Sequence, residues 1–329
     1  MKFRTEINIE PSHFQISYKD PIALIGSCFT KNIGKRLQEI LFISDINPFG
    51  VVYNPLSVKR SLELLMSEKK YSEGELEYYN GKYFSWEHHS DFSGSKPELT
   101  LKKINEKIKT SSSFLKTAKY LFISMGTAWV YRLKTTRQVV CNCHKLPAAN
   151  FHRELLSIEE ITEEYEKLIK DLRKYNPEIR IIFTLSPVRH WKDGAHANQI
   201  SKSVLNIALD NTINKYEDIC GYFPSYEILL DDLRDYRFYE EDLLHPNQQA
   251  IDYIWEKFSD SYFSKETKAY ISKIEKLVRA ASHKFFDPGS KASGEFRQKQ
   301  TQKLEQMKKE LPFLDWNELS LAFMADSDL

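Results

Sequence analysis

The chain has 329 residues, enough for one large α/β domain with an appendage or for two small domains. Hydrophobic residues make up 41% and charged residues 28%, so we expect a folded globular protein. A formal net charge of +1 gives no reason to expect nucleic acid or an anionic membrane as a partner. No signal-peptide pattern and no stretch of about 20 apolar residues occurs, so we expect no secretion signal and no membrane span. The four cysteines do not form a disulfide framework for a chain of this size, so we expect free thiols and a cytoplasmic protein.

Short apolar runs and amphipathic segments alternate in the first half of the chain. Ile22–Gly26 predicts a buried strand, and Thr30 is positioned to cap a helix that follows it. Ser57 is the predicted cap of a second helix. Asn80-Gly81 between aromatic-rich arms predicts a type I′ hairpin over 76–86. Further elements are predicted as a helix near 97–110 and a buried strand at 120–124, and the segment 129–143 is expected to be a second hairpin or an extended insertion.

The second half continues the alternation. Ser157 and Glu160 predict a capping box for a long helix, and Ile179–Leu185 is a third buried strand. Further elements are predicted as a helix over 197–216, a strand near 219–222 and a helix over 247–263. Buried strands separated by amphipathic helices predict a parallel sheet with helices on both faces, in a three-layer α/β/α arrangement of the flavodoxin-like kind.

Ligands on such sheets bind at the carboxyl ends of the strands, where this chain carries small polar residues. Ser27 follows the first strand at a turn into a helix, and Gly26 permits a tight bend there. A nucleophile at such a turn has backbone N–H groups available to stabilise an oxyanion. We therefore expect Ser27 to be a nucleophile; the alternative is an ordinary helix-capping serine.

A base for this serine is expected in the segment Asp242-Leu-Leu-His245-Pro-Asn. An aspartate three residues before a histidine can hold one imidazole nitrogen and leave the other for the nucleophile. The alternative is a surface turn with a capping aspartate. Together with Ser27, these residues predict an acyl-transfer site.

The arrangement resembles the SGNH, or GDSL-like, hydrolase superfamily, whose nucleophile follows the first strand and whose D-x-x-H precedes the final helix. It resembles the bacterial GSCFA-domain family more closely over roughly residues 1–260. The matching runs are GSCF at 26–29, NPFGVVYNP at 47–55, MGTAWVY at 125–131, NCHKLPA at 142–148 and SPVRHW at 186–191.

The resemblance implies that Ser27 is the nucleophile, Asp242 the orienting group and His245 the general base. It also implies that the Gly50 N–H is an oxyanion donor beside that of Ser27. The superfamily's third block carries an asparagine donor where this chain has Ala128. Losing one donor costs about 100- to 1000-fold in rate.

The replacement donor is expected among three side chains, those of Asn142, Thr127 and His144, with Asn142 favoured. Thr127 and His144 are also candidates for binding substrate, as are His190 and Arg189 in the SPVRHW run.

Other interpretations of the cysteines remain open. Cys28 could be the nucleophile in place of Ser27, since a thiolate at a helix N-terminus is activated. Cys141, Cys143 and His144 suggest metal ligands, but their spacing is shorter than zinc sites use. We therefore expect no metal and no cofactor.

The composition changes at about residue 266, where Lys, Glu and Gln become frequent. We expect a hydrolase domain over 1–265 and a helical extension over 266–329, which could present a solvated face or dock a second copy of the chain. The expected activity is that of an esterase or O-acyltransferase on a small ester, such as an acetylated carbohydrate. The alternative is an inactive binding or scaffold protein.

Overall fold

The protein is described by a computed structural model that covers residues 4–283, 286–287 and 289–324. Its strands are β1 Ile22–Gly26, β2 Ser44–Ile46, β3 Glu77–Tyr79, β4 Lys82–Phe84, β5 Tyr120–Met125, β6 Trp129–Leu133, β7 Val139–Val140, β8 Phe151–Leu155, β9 Arg180–Leu185 and β10 Cys220–Tyr222. Its helices are α1 Cys28–Glu39, α2 Pro55–Met66, α3 Pro97–Thr117, α4 Ile158–Tyr175, α5 Gly194–Lys215, α6 Ser225–Glu227, α7 Gln248–Tyr262, α8 Lys265–Ala281, α9 Lys291–Glu310 and α10 Asn317–Met324.

Five strands form the central sheet in the order β10-β9-β5-β1-β2, and all four pairings are parallel. Counted along the chain among these five, the order is 2-1-3-4-5, which is the flavodoxin-like arrangement. The predicted parallel sheet and three-layer α/β/α fold are confirmed.

The three central strands, β1, β5 and β9, are buried on both faces because they are apolar at most positions. In β5, Leu121 and Ile123 pack with α2, α3, α4 and α5 on one face. Phe122, between them, packs with α1 and α7 on the other. This alternation follows from the two-residue period of a strand and divides the interior into two apolar layers.

Two predicted helix caps are wrong by about one turn. Ser27 caps α1, and the Thr30 hydroxyl instead donates to the Ser27 carbonyl oxygen at 2.7 Å. Asn54 caps α2, whose first residue is Pro55, and its side chain accepts from the Ser57 N–H at 2.8 Å. In both cases another capping side chain lies three residues earlier, and the earlier one begins the helix.

Two antiparallel units lie outside the central sheet. The predicted hairpin is confirmed as β3 and β4, with positive φ at both Asn80 and Gly81, as a type I′ turn requires. Of the two alternatives for 129–143, the structure shows the hairpin, formed by β6 and β7, and β8 pairs with the other edge of β6.

The last three helices pack onto the α1 and α7 face of the sheet. Ile274 and Leu277 of α8, Leu304 of α9 and Leu319 of α10 belong to the same apolar cluster as Ile33 of α1. The C-terminal helices therefore share one continuous core with the sheet. No helix in the described ranges is long and apolar enough to cross a membrane.

Candidate active site

The candidate site lies where the strand order reverses, between β1 and β5. In parallel sheets of this kind, ligands bind in the crevice outside the strand ends at that point. Gly26 ends β1 with a φ of 138°, and a Cβ added there would lie 2.1 Å from the Ser124 carbonyl oxygen. Only glycine fits this position, and it brings the start of α1 against the end of β5.

Ser27, the predicted nucleophile, is buried beneath this turn and is only 1% exposed. Its hydroxyl lies 2.6 Å from the Ser124 hydroxyl and accepts from the Phe29 N–H at 3.3 Å. Its own N–H donates to the Ser124 carbonyl oxygen at 3.2 Å. The hydroxyl and the N–H of Ser27 are thus both hydrogen-bonded within the protein.

Cys28, the next residue, lines a cavity of about 50 Å³ that His245 also lines. The other lining residues are mostly apolar: Phe29, Asn32, Ile33, Pro187, Val188, Pro246, Ile251 and Ile254. As the first residue of α1, Cys28 has an N–H with no acceptor inside the helix. Within the described ranges, the Cys28 N–H has no hydrogen-bond acceptor among the backbone carbonyl groups. Cys28 and His245 thus border the same small cavity.

Asp242 fixes the orientation of His245. Its carboxylate accepts from His245 Nδ1 at 2.5 Å and from the backbone N–H groups of Leu244 and His245, both at 2.9 Å. The His245 and Leu244 hydrogen bonds lower the pKa of Asp242 to about 2. Because an ionised carboxylate only accepts, the neutral His245 carries its proton on Nδ1 and has a lone pair on Nε2.

Tyr53 and His190 do not line this cavity, and they lie near the end of β5. The N–H of Val52, just before Tyr53, donates to the Gly26 carbonyl oxygen at 2.8 Å, which places Tyr53 near the start of α1. Burial raises the pKa of Tyr53, and a Cys28 thiolate would raise it further. The Tyr53 and His190 rings meet edge to face with centroids 5.4 Å apart. A Cβ on Gly126 would lie 3.1 Å from His190 Nε2 and 3.3 Å from a Tyr53 ring carbon. Glycine at this position leaves room for both rings.

The backbone donors expected from the resemblance are occupied in this structure. The Ser27 N–H is taken by Ser124, and the Gly50 N–H donates to the Asn47 carbonyl oxygen at 2.7 Å. Asn142 Oδ1 accepts from the His144 N–H at 2.7 Å. None of these three residues lines the cavity shared by Cys28 and His245.

The predicted substrate-binding residues lie in different parts of the structure. The Thr127 hydroxyl faces α5, 3.1 Å from the Ser201 hydroxyl. The His144 ring stacks on Phe84 of the hairpin, with centroids 4.0 Å apart. The Arg189 guanidinium lies 5.2 Å from the centroid of the Trp191 ring. Of these four residues, only His190 lies close to Tyr53 and the end of β5. Burial lowers the pKa of His190 to about 4.

Lys202 is a buried cation behind the site, 1% exposed, in α5. Its ammonium group donates to the Ser186 carbonyl oxygen at 2.7 Å, just before the Pro187-Val188 segment that lines the cavity. Burial lowers the pKa of Lys202 to about 7. The lysine therefore anchors one wall of the cavity without entering it.

The other three cysteines do not line the cavity that Cys28 and His245 share. Burial raises the pKa of Cys141 and of Cys220 to about 12, and it also raises that of Cys143. Over the described ranges, no three His, Cys, Asp or Glu side chains are grouped as a metal site requires.

The structure is thus a three-layer α/β protein in which Cys28, after the first strand of the sheet, and His245, held by Asp242, line one cavity. The chain belongs to the GSCFA family, whose model matches residues 21–258. A second model, the GSCFA domain protein C-terminal domain, matches residues 274–323. No curated protein matches the chain significantly.

Two residues of this site received little weight from sequence. Cys28 is the alternative nucleophile in the sequence, and it ranks below Ser27 there because the resembled superfamily places its nucleophile at the Ser27 position. Tyr53 lies inside the NPFGVVYNP run, which matches the family. No local sequence pattern, however, predicts that the tyrosine lies near Cys28.

Proposed function

We propose that this protein is an acyl-transfer enzyme, an esterase or O-acyltransferase, with Cys28 as nucleophile, His245 as general base and Asp242 as its orienting group. The observation that carries the proposal is the cavity lined by both Cys28 and His245. The hydrogen bond from His245 Nδ1 to Asp242 supports it, because it leaves Nε2 free to take a proton.

The choice of Cys28 over Ser27 is supported by what each side chain contacts. The Ser27 hydroxyl is buried against Ser124 and caps α1, so an attack by Ser27 would first require breaking the 2.6 Å contact. Cys28 already lines the cavity, and thiols need less activation than hydroxyls.

The reaction proceeds in two balanced halves. As the Cys28 sulfur attacks the ester carbonyl carbon, its proton passes to His245 Nε2 and the carbonyl π electrons move to oxygen. The oxyanion collapses, the carbon–oxygen bond to the alcohol breaks, and the alcohol leaves with the proton from His245. Water or an acceptor hydroxyl then attacks the thioester and gives its proton to His245, and the thiolate leaves and is reprotonated.

The strand order and the D-x-x-H segment before α7 support a relationship to the SGNH/GDSL-like superfamily, in which small esters are common substrates. The cavity volume of about 50 Å³ and its apolar lining favour a short acyl group, such as acetyl, over a long chain. We propose an acetylated carbohydrate or another small ester as the substrate.

Acyl-enzyme trapping tests the nucleophile directly. The protein is mixed with p-nitrophenyl acetate, quenched with acid and digested, and the acetylated peptide is identified by mass spectrometry. We expect acetylation of Cys28, its loss in Cys28→Ala, its persistence in Ser27→Ala and a slower burst in His245→Ala. A chain-length series of p-nitrophenyl esters should favour the shortest members.

Other results would assign the site differently. Acetylation of Ser27 that survives Cys28→Ala would restore the serine as nucleophile. A folded wild-type protein that neither acetylates nor turns over any short ester would contradict the enzyme proposal and favour a binding or scaffold protein.

A further inference from the structure

The oxygen of a tetrahedral intermediate on Cys28 needs hydrogen-bond donors, and several expected ones are occupied. The N–H groups of Ser27 and Gly50 donate to carbonyl oxygens of the protein itself. Ala128 replaces the asparagine of the resembled superfamily and has no polar side chain. The Cys28 N–H remains available, but each further donor is worth about 100- to 1000-fold in rate. A second donor should therefore lie close to the sulfur.

Tyr53 has a hydroxyl in that position. The N–H of Val52, just before Tyr53, donates to the Gly26 carbonyl oxygen at 2.8 Å, so the tyrosine lies near the start of α1, where its hydroxyl interacts with Cys28. Because burial raises the pKa of Tyr53, the hydroxyl stays protonated at neutral pH and remains a donor. The side chain is half-buried, so water competes with it only in part.

The tyrosine is held rigidly from two directions. The N–H groups of Gly126 and Thr127 donate to the Tyr53 carbonyl oxygen at 2.7 and 3.2 Å, which ties its backbone to the end of β5. The next residue, Asn54, caps α2. The ring of Tyr53 packs edge to face against the ring of His190. A donor fixed before the reaction costs no reorganisation when the negative charge develops.

Tyr53 and His245 reach Cys28 from different elements. His245 comes from the segment before α7 and lines the cavity with Ile33 and Ile254, whereas Tyr53 comes from the loop between β2 and α2 and does not line that cavity. A base and an oxyanion donor must lie on different sides of the nucleophile, since one receives its proton and the other faces the carbonyl oxygen. We propose that the Tyr53 hydroxyl donates to the oxyanion formed on Cys28 and takes the role of the missing asparagine.

The inference rests on the proposed function, so its test uses a reaction that needs an oxyanion but no turnover. Trifluoroacetone adds reversibly to a thiol: the sulfur–carbon bond forms, the carbonyl π electrons move to oxygen and the thiol proton passes to His245. Adduct affinity is measured by ¹⁹F NMR. Alkylation of Cys28 by iodoacetamide, followed at its peptide by mass spectrometry, creates no oxyanion and serves as the control reaction.

In Tyr53→Phe, which keeps the ring and its contact with His190, we expect the adduct to weaken about 100- to 1000-fold. The rate of alkylation should change much less than the adduct affinity. Tyr79→Phe, on the remote hairpin strand β3, is the matched control and should change neither reaction.

The outcomes separate the two proposals. Equal adduct affinity in wild type and Tyr53→Phe would overturn the donor role and leave Cys28 as nucleophile. An equal fall in alkylation and adduct formation would also overturn it, because Tyr53 would then act on the sulfur and not on the oxyanion. A wild type with no adduct at Cys28 would overturn both, since there would be no oxyanion to stabilise.

Discussion

The hydroxyl groups of Ser27 and Ser124 lie 2.6 Å apart and join the start of α1 to the end of β5. Both serines are buried, at 1% and 0% exposure, so the pair is a structural link between the two strands that border the site. Through it, the residue before Cys28 is fixed in place.

We predict that Ser27→Ala lowers stability by about 1–3 kcal/mol, because it removes a helix cap and leaves the Ser124 hydroxyl unpaired. Urea unfolding of Ser27→Ala, Ser124→Ala and the double variant measures this. The double variant should cost less than the sum of the single changes, since the second substitution removes an already unpaired group. Strict additivity would show that the two hydroxyls are not coupled.

Gly26→Ala should be far more damaging. The new Cβ would lie 2.1 Å from the Ser124 carbonyl oxygen, in a backbone conformation with positive φ. We expect a loss of more than about 4 kcal/mol or failure to fold, measured by the yield of soluble protein and by thermal unfolding. Gly74→Ala is the control, because nothing lies within 4 Å of a Cβ there. Similar behaviour of the two variants would refute this account of Gly26.

Asp242→Asn tests the orientation of His245. An asparagine amide can donate to Nδ1 and thereby favour the tautomer with its proton on Nε2, which cannot accept a proton from Cys28. We expect kcat/KM for a short ester to fall by roughly 100- to 10,000-fold with no change in fold. Since the pKa of Asp242 is about 2, no limb of the wild-type rate profile between pH 5 and about 9 should report its titration. Asp231→Asn, at an exposed ion pair with Arg234, is the control.

The lowered pKa of Lys202 predicts that the free energy of unfolding depends on pH. Its folded pKa of about 7 lies below the value of about 10.4 for a free lysine, so between these values the unfolded chain binds more protons. Stability contributed by this group therefore rises with pH across that window, by up to about 1.4 kcal/mol per pH unit.

Urea unfolding at pH 7 and pH 9.5 measures the effect. The free energy of unfolding of wild type minus that of Lys202→Met should increase from pH 7 to pH 9.5. The same difference taken with the exposed Lys170→Met should not change. A constant difference for Lys202→Met would mean that the buried ammonium group does not titrate in this window.

The fold was predictable from sequence because its evidence is repeated along the chain. Each buried strand is a continuous apolar run, and helices with one apolar face separate them, so an error at one boundary does not alter the topology. The hairpin at Asn80-Gly81 was equally predictable, because asparagine and glycine both adopt the positive φ that the turn requires.

The site was less predictable because it depends on single residues. Ser27 and Cys28 are neighbours, and a shift in the start of α1 decides which one caps the helix and which one lines the cavity. Sequence patterns do not fix a helix boundary to within one residue. The contact of Tyr53 with the thiol depends on how the loop after β2 packs on the end of β5, which no local pattern records.

The two family matches, 21–258 and 274–323, suggest separable modules, but the packing of the C-terminal helices argues otherwise. Leu304 and Leu319 share a core with Ile33 of the helix that begins at Cys28, and with Ile254 of the helix that follows His245. Removing the C-terminal helices would strip an apolar layer from the helix that begins at Cys28 and from the helix that follows His245. We therefore expect the two segments to unfold together, so a truncated chain should lose the arrangement of Cys28 and His245 together with its stability.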